Sequence, residues 1–216
     1  MSTDPPGSVD AAAATQHWTE LPLFPLQSVL FPGGLLQLKV FEPRYLDLIS
    51  RCLRERSAFG VVCLSQGSEV RGGGDRPRIE GVAVLAHLQE VDAEQSGILL
   101  VRCVGGQRVQ LSTTWQRDDG LWLATARARA DDLPAEVPNH LDATARALGQ
   151  AIGSLAAQDH HPFARPYRLD DAGWVANRWC EILPISVEAK YRLMVLDDPL
   201  LRLKRVDEFL RGRGMV

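Results

Sequence analysis

Lysine is scarce in this chain: Lys39, Lys190 and Lys204 are all that its 216 residues contain. A serine–lysine hydrolase needs a lysine beside its nucleophile. Lys39 falls on the solvent side of an alternating pattern, and the other two fall on helix faces among charged neighbours, so no such dyad is expected. A basic surplus is also missing. The net charge of −3 argues against nonspecific nucleic-acid binding, which rests on a positive surface. No apolar run approaches the roughly 20 residues of a membrane-spanning helix, and the N-terminus has no basic stretch leading into an apolar one. A soluble, cytoplasmic protein with no membrane partner is the expectation. Cys52, Cys63, Cys103 and Cys180 form no C-x-x-C pair, and their apolar surroundings predict free buried thiols. The glycines of Arg71-Gly72-Gly73-Gly74-Asp75 are not followed by the Lys-Ser/Thr of a phosphate loop, which leaves a hairpin tip. His160 and His161 are adjacent and lack a ligand at helical i+4 spacing, so a loop is expected there and not a metal site. These absences predict no catalytic residue, no metal and no cofactor.

What is present suits a folded domain. Hydrophobic residues make up 45% of the chain and charged ones 24%, and a chain of this length buries roughly 70% of its unfolded surface. Residues 1–18, with Asp4-Pro5-Pro6-Gly7-Ser8 and an alanine run, hold too little apolar surface to offset chain entropy, and a disordered tail is expected. Residues 19–134 read as a β-rich subdomain. Strand patterns cover Phe59–Leu64, Gly81–Glu90, Gly97–Val104, Gln107–Trp115 and Leu121–Arg129. Turn-rich hinges at Ala93–Gly97 and Arg117–Gly120 predict antiparallel neighbours, and Gly105-Gly106 predicts a bulge or tight bend. Residues 135–216 change period and predict a helical bundle of four helices. The first runs from about Leu141 to Gln158, the second starts near Asp170 or Asp171, and Ser186 and Asp198-Pro199 cap the third and fourth.

The densest local signal lies between Leu21 and Tyr45. Leu21-Pro22-Leu23-Phe24-Pro25-Leu26 reads as a short apolar strand, which its prolines should place at a sheet edge or release from the ladder early. Phe31-Pro32-Gly33-Gly34 predicts a sharp reversal. Leu36, Leu38 and Val40 alternate with Gln37 and Lys39 as in a half-buried strand, and Pro43 suits the first turn of a helix. Tyr45, Leu46, Leu48, Ile49, Cys52 and Leu53 then share one helical face.

The Leu-Pro-Leu-Phe-Pro-Leu start, the Phe31-Pro32-Gly33 turn and Phe41-Glu42-Pro43-Arg44-Tyr45 together resemble the opening of the Lon N-terminal, substrate-binding domain family. Phe59-Gly60-Val61-Val62, the span Gly97 to Val109, and Asp198-Pro199 with Arg202-Leu203 extend the resemblance from about Glu20 to about Leu210. It implies an α+β fold: a partly closed, PUA-like pseudo-barrel with one inserted helix, followed by an α-helical bundle. It also implies a stand-alone member without the ATPase and peptidase of Lon proteases. Such a protein would bind exposed apolar segments of unfolded or partly folded polypeptide, with a protease or chaperone as a further partner, as a monomer or weak homo-oligomer.

Candidate peptide-binding residues are Phe31, Phe41, Glu42, Arg44 and Trp174. Phe24, Phe31 and Phe41 suit either a groove wall or the core. Glu42 and Arg44 suit either the mouth of a groove or a bracing role, with Glu42 at the helix N-terminus and Arg44 against the strand behind it. The docking surface is expected along Phe31–Arg44, the alternative being a cleft between barrel and bundle near Trp174. A small-molecule-binding regulatory domain, with its pocket in the barrel or between subdomains, is the other functional class; an enzyme would need a constellation that the residues do not offer.

Overall fold

The computed structural model describes residues 16–66 and 78–216. The Arg71–Asp75 tip, and the tail apart from its last residues, lie outside the described residues. Six strands, β1 (His17–Leu26), β2 (Leu35–Val40), β3 (Phe59–Gln66), β4 (Arg78–Gln95), β5 (Ile98–Gln116) and β6 (Trp122–Ala128), are joined by one helix, α1 (Pro43–Glu55), between β2 and β3. Helices α2 (Asp142–Ala156), α3 (Ala172–Ile182), α4 (Val187–Val195) and α5 (Pro199–Gly212) follow. The first strand begins at His17, so Trp18 belongs to the sheet and not to the tail.

The strands form one mixed sheet in the order β2-β5-β4-β3-β1-β6, and β6 pairs back onto β5. This is not a regular barrel. β5 is long enough to serve two partners in succession: Leu99–Val104 pair with β2, and Val109–Gln116 pair with β6. Alternate side chains from β1, β3, β4, β5 and β6 meet in a compact cluster of Leu21, Leu23, Val62, Leu85, Val109 and neighbouring alanines. Their other faces join the helices in a second, larger cluster that runs from Phe24 through Leu148 and Val175 to Leu210.

The edge placement expected for β1 is corrected. β1 is an interior strand, parallel to β3 and antiparallel to β6, and not a sheet edge. The β6 pairing ends at Leu23↔Trp122, so by Pro25 the strand has left that ladder, the other outcome expected of its prolines, while Pro22 stays in register opposite Leu123. At Gly105-Gly106 the expected bulge is present as a register shift between Val84↔Arg108 and Ala86↔Gly105, and β5 continues through it as one strand. A Cβ at Gly105 would stand 2.2 Å from the Phe31 carbonyl oxygen. Glycine is required there because the β1–β2 connection crosses at backbone distance, with Gly33 N donating to Gly105 O (2.7 Å) and Gly105 N to Gly34 O (2.8 Å).

The helices start where capping chemistry places them. Asp171, Ser186 and Asp198 accept backbone N–H groups of the first turns of α3, α4 and α5. Buried arginines join the helices to the sheet. Arg108 of β5 donates to Asp132 (2.9 Å) and to the carbonyls of Met194 and Leu196. Arg202 of α5 meets the same Asp132 carboxylate (2.5 Å) and the carbonyls of Leu193 and Leu196. The Asp132 carboxylate, a second one from Asp197 at 3.4 Å from Arg108, and a ring of carbonyls thus offset two desolvated guanidinium groups.

Candidate functional site

Among the described residues β2 pairs with β5 on one side only, and its other edge has no strand partner. A groove of about 390 Å³ runs along that edge. Phe24 and Leu26 of β1 and Leu36, Leu38 and Val40 of β2 supply apolar surface to it. Pro43 starts α1 three residues past the end of β2, and this turns Tyr45 back so that its ring stacks on Phe24 at 4.1 Å. Phe41, in the link between β2 and α1, borders the groove with 51% of its surface exposed. An exposed phenylalanine beside an unpaired strand edge is the arrangement a bound segment would cover.

Glu42 and Arg44 form an ion pair at 2.8 Å, with side chains 19% and 7% exposed, so the pair is largely buried. Arg44 also donates to the Gly120 carbonyl (2.9 Å), and its guanidinium lies 4.6 Å from the centre of the Tyr45 ring. The bracing role expected of this pair is therefore changed in detail. Glu42 makes no side-chain cap bond to α1, because its carboxylate is taken up by Arg44. Arg44 ties α1 to the β5–β6 turn, not to the strand behind it. On α1 itself Leu53 points outward, unlike Tyr45, Leu48, Ile49 and Cys52.

The entry to β2 is fixed by a second buried arginine. Gly33 adopts φ +72°, which turns the carbonyls of Pro32 and Gly33 toward α3. Arg178 donates to both, at 2.9 and 2.7 Å, and to Glu181 at 2.6 Å. Its guanidinium also stands 5.7 Å from the Trp174 ring centre. Burial pushes the Glu181 carboxyl up to about 7, against the opposite pull of Arg178 and then Lys190.

Of the five candidate residues, Phe41 and Glu42 line the groove and Arg44 supports it from behind. Phe31 is fully buried and Trp174 is 6% exposed, packed against Phe163 and Tyr167, so neither side chain is presented at the surface. Leu36 and Leu38 lie in the segment expected to wall the groove, whereas Leu26 and Tyr45 at the groove and Arg178 beneath it were not anticipated. Periodicity marked β2 as half-buried, but which of its edges stays unpaired is decided by long-range pairing. The four cysteines are free and buried, and burial raises Cys63 to about 11 and Cys103 and Cys180 to about 12, which leaves them inert thiols. Among the described residues no group of three or more His, Cys, Asp or Glu side chains is placed to hold a metal, and no helix is long and apolar enough to cross a membrane.

The model of the substrate-binding domain of ATP-dependent protease La (Lon) matches residues 20–212. The chain belongs to this family. Among solved structures, a Lon N-terminal domain protein from Xanthomonas campestris is 31% identical, with a TM-score of 0.71, over 88% of this chain and 97% of that one. The N-terminal domain of the Mycobacterium avium complex Lon protease, 14% identical with a TM-score of 0.58 over 88% and 97% of the two chains, shares the fold. No curated protein matches the sequence. The groove therefore lies in a Lon substrate-binding domain, and the α+β architecture is that of the Lon N-terminal fold.

Proposed function

We propose that this Lon-type domain binds extended, apolar segments of unfolded or partly folded polypeptide at the unpaired edge of β2, by binding alone and without catalysis. The apolar groove along that edge is the observation that carries the reading. A segment laid beside β2 makes main-chain hydrogen bonds to the edge, and its alternate side chains enter the groove. Main-chain bonding is indifferent to sequence, so apolar burial sets the affinity, at roughly 1.5–3 kcal/mol for each fully buried large side chain. Glu42 adds little charge selectivity because it is held with Arg44 in a largely buried pair. The substrate-binding role carried by the family's description supports the same reading.

The test is fluorescence anisotropy with a labelled, uncharged peptide such as acetyl-VTFTVTL-amide. Phe41→Asp, on an exposed side chain, should leave the melting temperature nearly unchanged and weaken binding about tenfold, the value of one partly buried aromatic contact. Leu200→Asp, on the exposed surface of α5, should change nothing. Unaltered affinity in a folded Phe41→Asp protein would remove the site from this edge.

A further inference from the structure

The two faces of β2 differ, and the difference constrains which segment fits. This inference rests on the groove being the binding site. Leu36, Leu38 and Val40 point into the groove, whereas Gln37 and Lys39 point to the opposite face. On that face Gln37 stands in a row with Arg102 and Glu90, and Lys39 in a row with Leu100 and Asp92. A second hollow of about 390 Å³ lies over these rows and shares Gln37, Leu38 and Lys39 with the groove. Strand side chains alternate between faces with a period of two. A segment added to β2 therefore meets apolar surface with one set of side chains and a charged face with the other.

Lys39 is the only charge on β2, and its side chain is 54% exposed. Glu94 engages its Nζ at 2.5 Å, yet an ammonium has three donors, so others remain for a neighbour on the outer side. The remaining charges of the face, Arg102 with Glu90 at 3.2 Å and Asp92, lie on β5 and β4, farther from the edge. Lys39 is thus the first charge that an added strand encounters.

We propose that the segment held at this edge is amphipathic with a period of two: apolar toward the groove, and polar over Gln37 and Lys39, with a carboxylate favoured opposite Lys39. Uniformly apolar segments would leave half their side chains over a charged surface. The favoured class is a β-strand that has come loose from its own sheet.

Three labelled peptides test this against the intact protein: alternating VSFEVSL, its charge-reversed form VSFKVSL, and VVFLSES, which has the composition of the first in blocks. The alternating acidic peptide should bind at least about threefold more tightly than the blocked one, because a lost period puts apolar groups on the wrong face. It should bind about two- to fivefold more tightly than the lysine form, the size of a cross-strand charge effect. Lys39→Gln should abolish the second preference and Lys39→Glu should invert it. Equal binding of the alternating and blocked peptides, or a charge order that Lys39→Glu leaves unchanged, overturns the proposal while the groove reading stands. Binding of none of the three peptides overturns both.

Discussion

Replacing Arg178 with methionine tests whether the β2 edge is held from beneath. Two effects compete. Removing the guanidinium leaves the Glu181 carboxyl without its partner, and an orphaned buried charge costs several kcal/mol. Glu181, however, already sits near neutrality, at about 7, and Arg178 is the group that holds it down. Without Arg178 the carboxyl takes up a proton at neutral pH, so the charge penalty is largely avoided. The carbonyls of Pro32 and Gly33 have no such escape. Each buried acceptor left unmade costs about 1–3 kcal/mol, so Arg178→Met should lose about 2–6 kcal/mol. For a domain of this size the melting temperature should fall by at least about 4 °C. Urea unfolding measures the free energy, and hydrogen exchange at the β2 amides reports whether the loss is felt at the strand. A variant within about 0.5 kcal/mol of the parent, with unaltered β2 exchange, would refute the clamp.

Two further outcomes follow from the same geometry. Glu181 has a folded pKa raised by burial above its ordinary 4.5, so its stabilising contribution is complete below about pH 4.5 and is lost as pH rises through about 7; Glu181→Gln should flatten that fall, and urea titrations at pH 5 and pH 8 whose wild-type-minus-variant difference does not shrink at the higher pH would contradict it. Arg44→Ala should cost about 1–3 kcal/mol because its partners, Glu42 and the Gly120 carbonyl, are largely buried, whereas Arg192→Ala, which breaks only the exposed pair with Glu188, should cost under about 0.5 kcal/mol.

Much of the molecule was readable in residue order because its causes are local. Ser186 and Asp198 cap the helices that they were expected to cap, and Asp171, one of the two starts expected for α3, caps that helix, since a short polar side chain reaches its own N–H groups wherever the helix later packs. The alternation of Leu36, Leu38 and Val40, the turn at Gly33 and the helix start at Pro43 are of the same kind. The ordered signature from Leu21 to Tyr45 placed the chain in its family because strand, turn and helix start must agree together. The tertiary structure alone decided which strand became the edge. β1, with two prolines, lies inside the sheet, while β2, with none, is left with one edge open among the described residues, because β5 is long enough to take β2 and β6 in turn. Long-range closure also buried Phe31 and Trp174, left Phe41 exposed, and drew Arg44, Arg108, Arg178 and Arg202 into the interior. Composition cannot foretell a buried arginine, because what makes it tolerable is a set of carbonyls brought to it from distant parts of the chain.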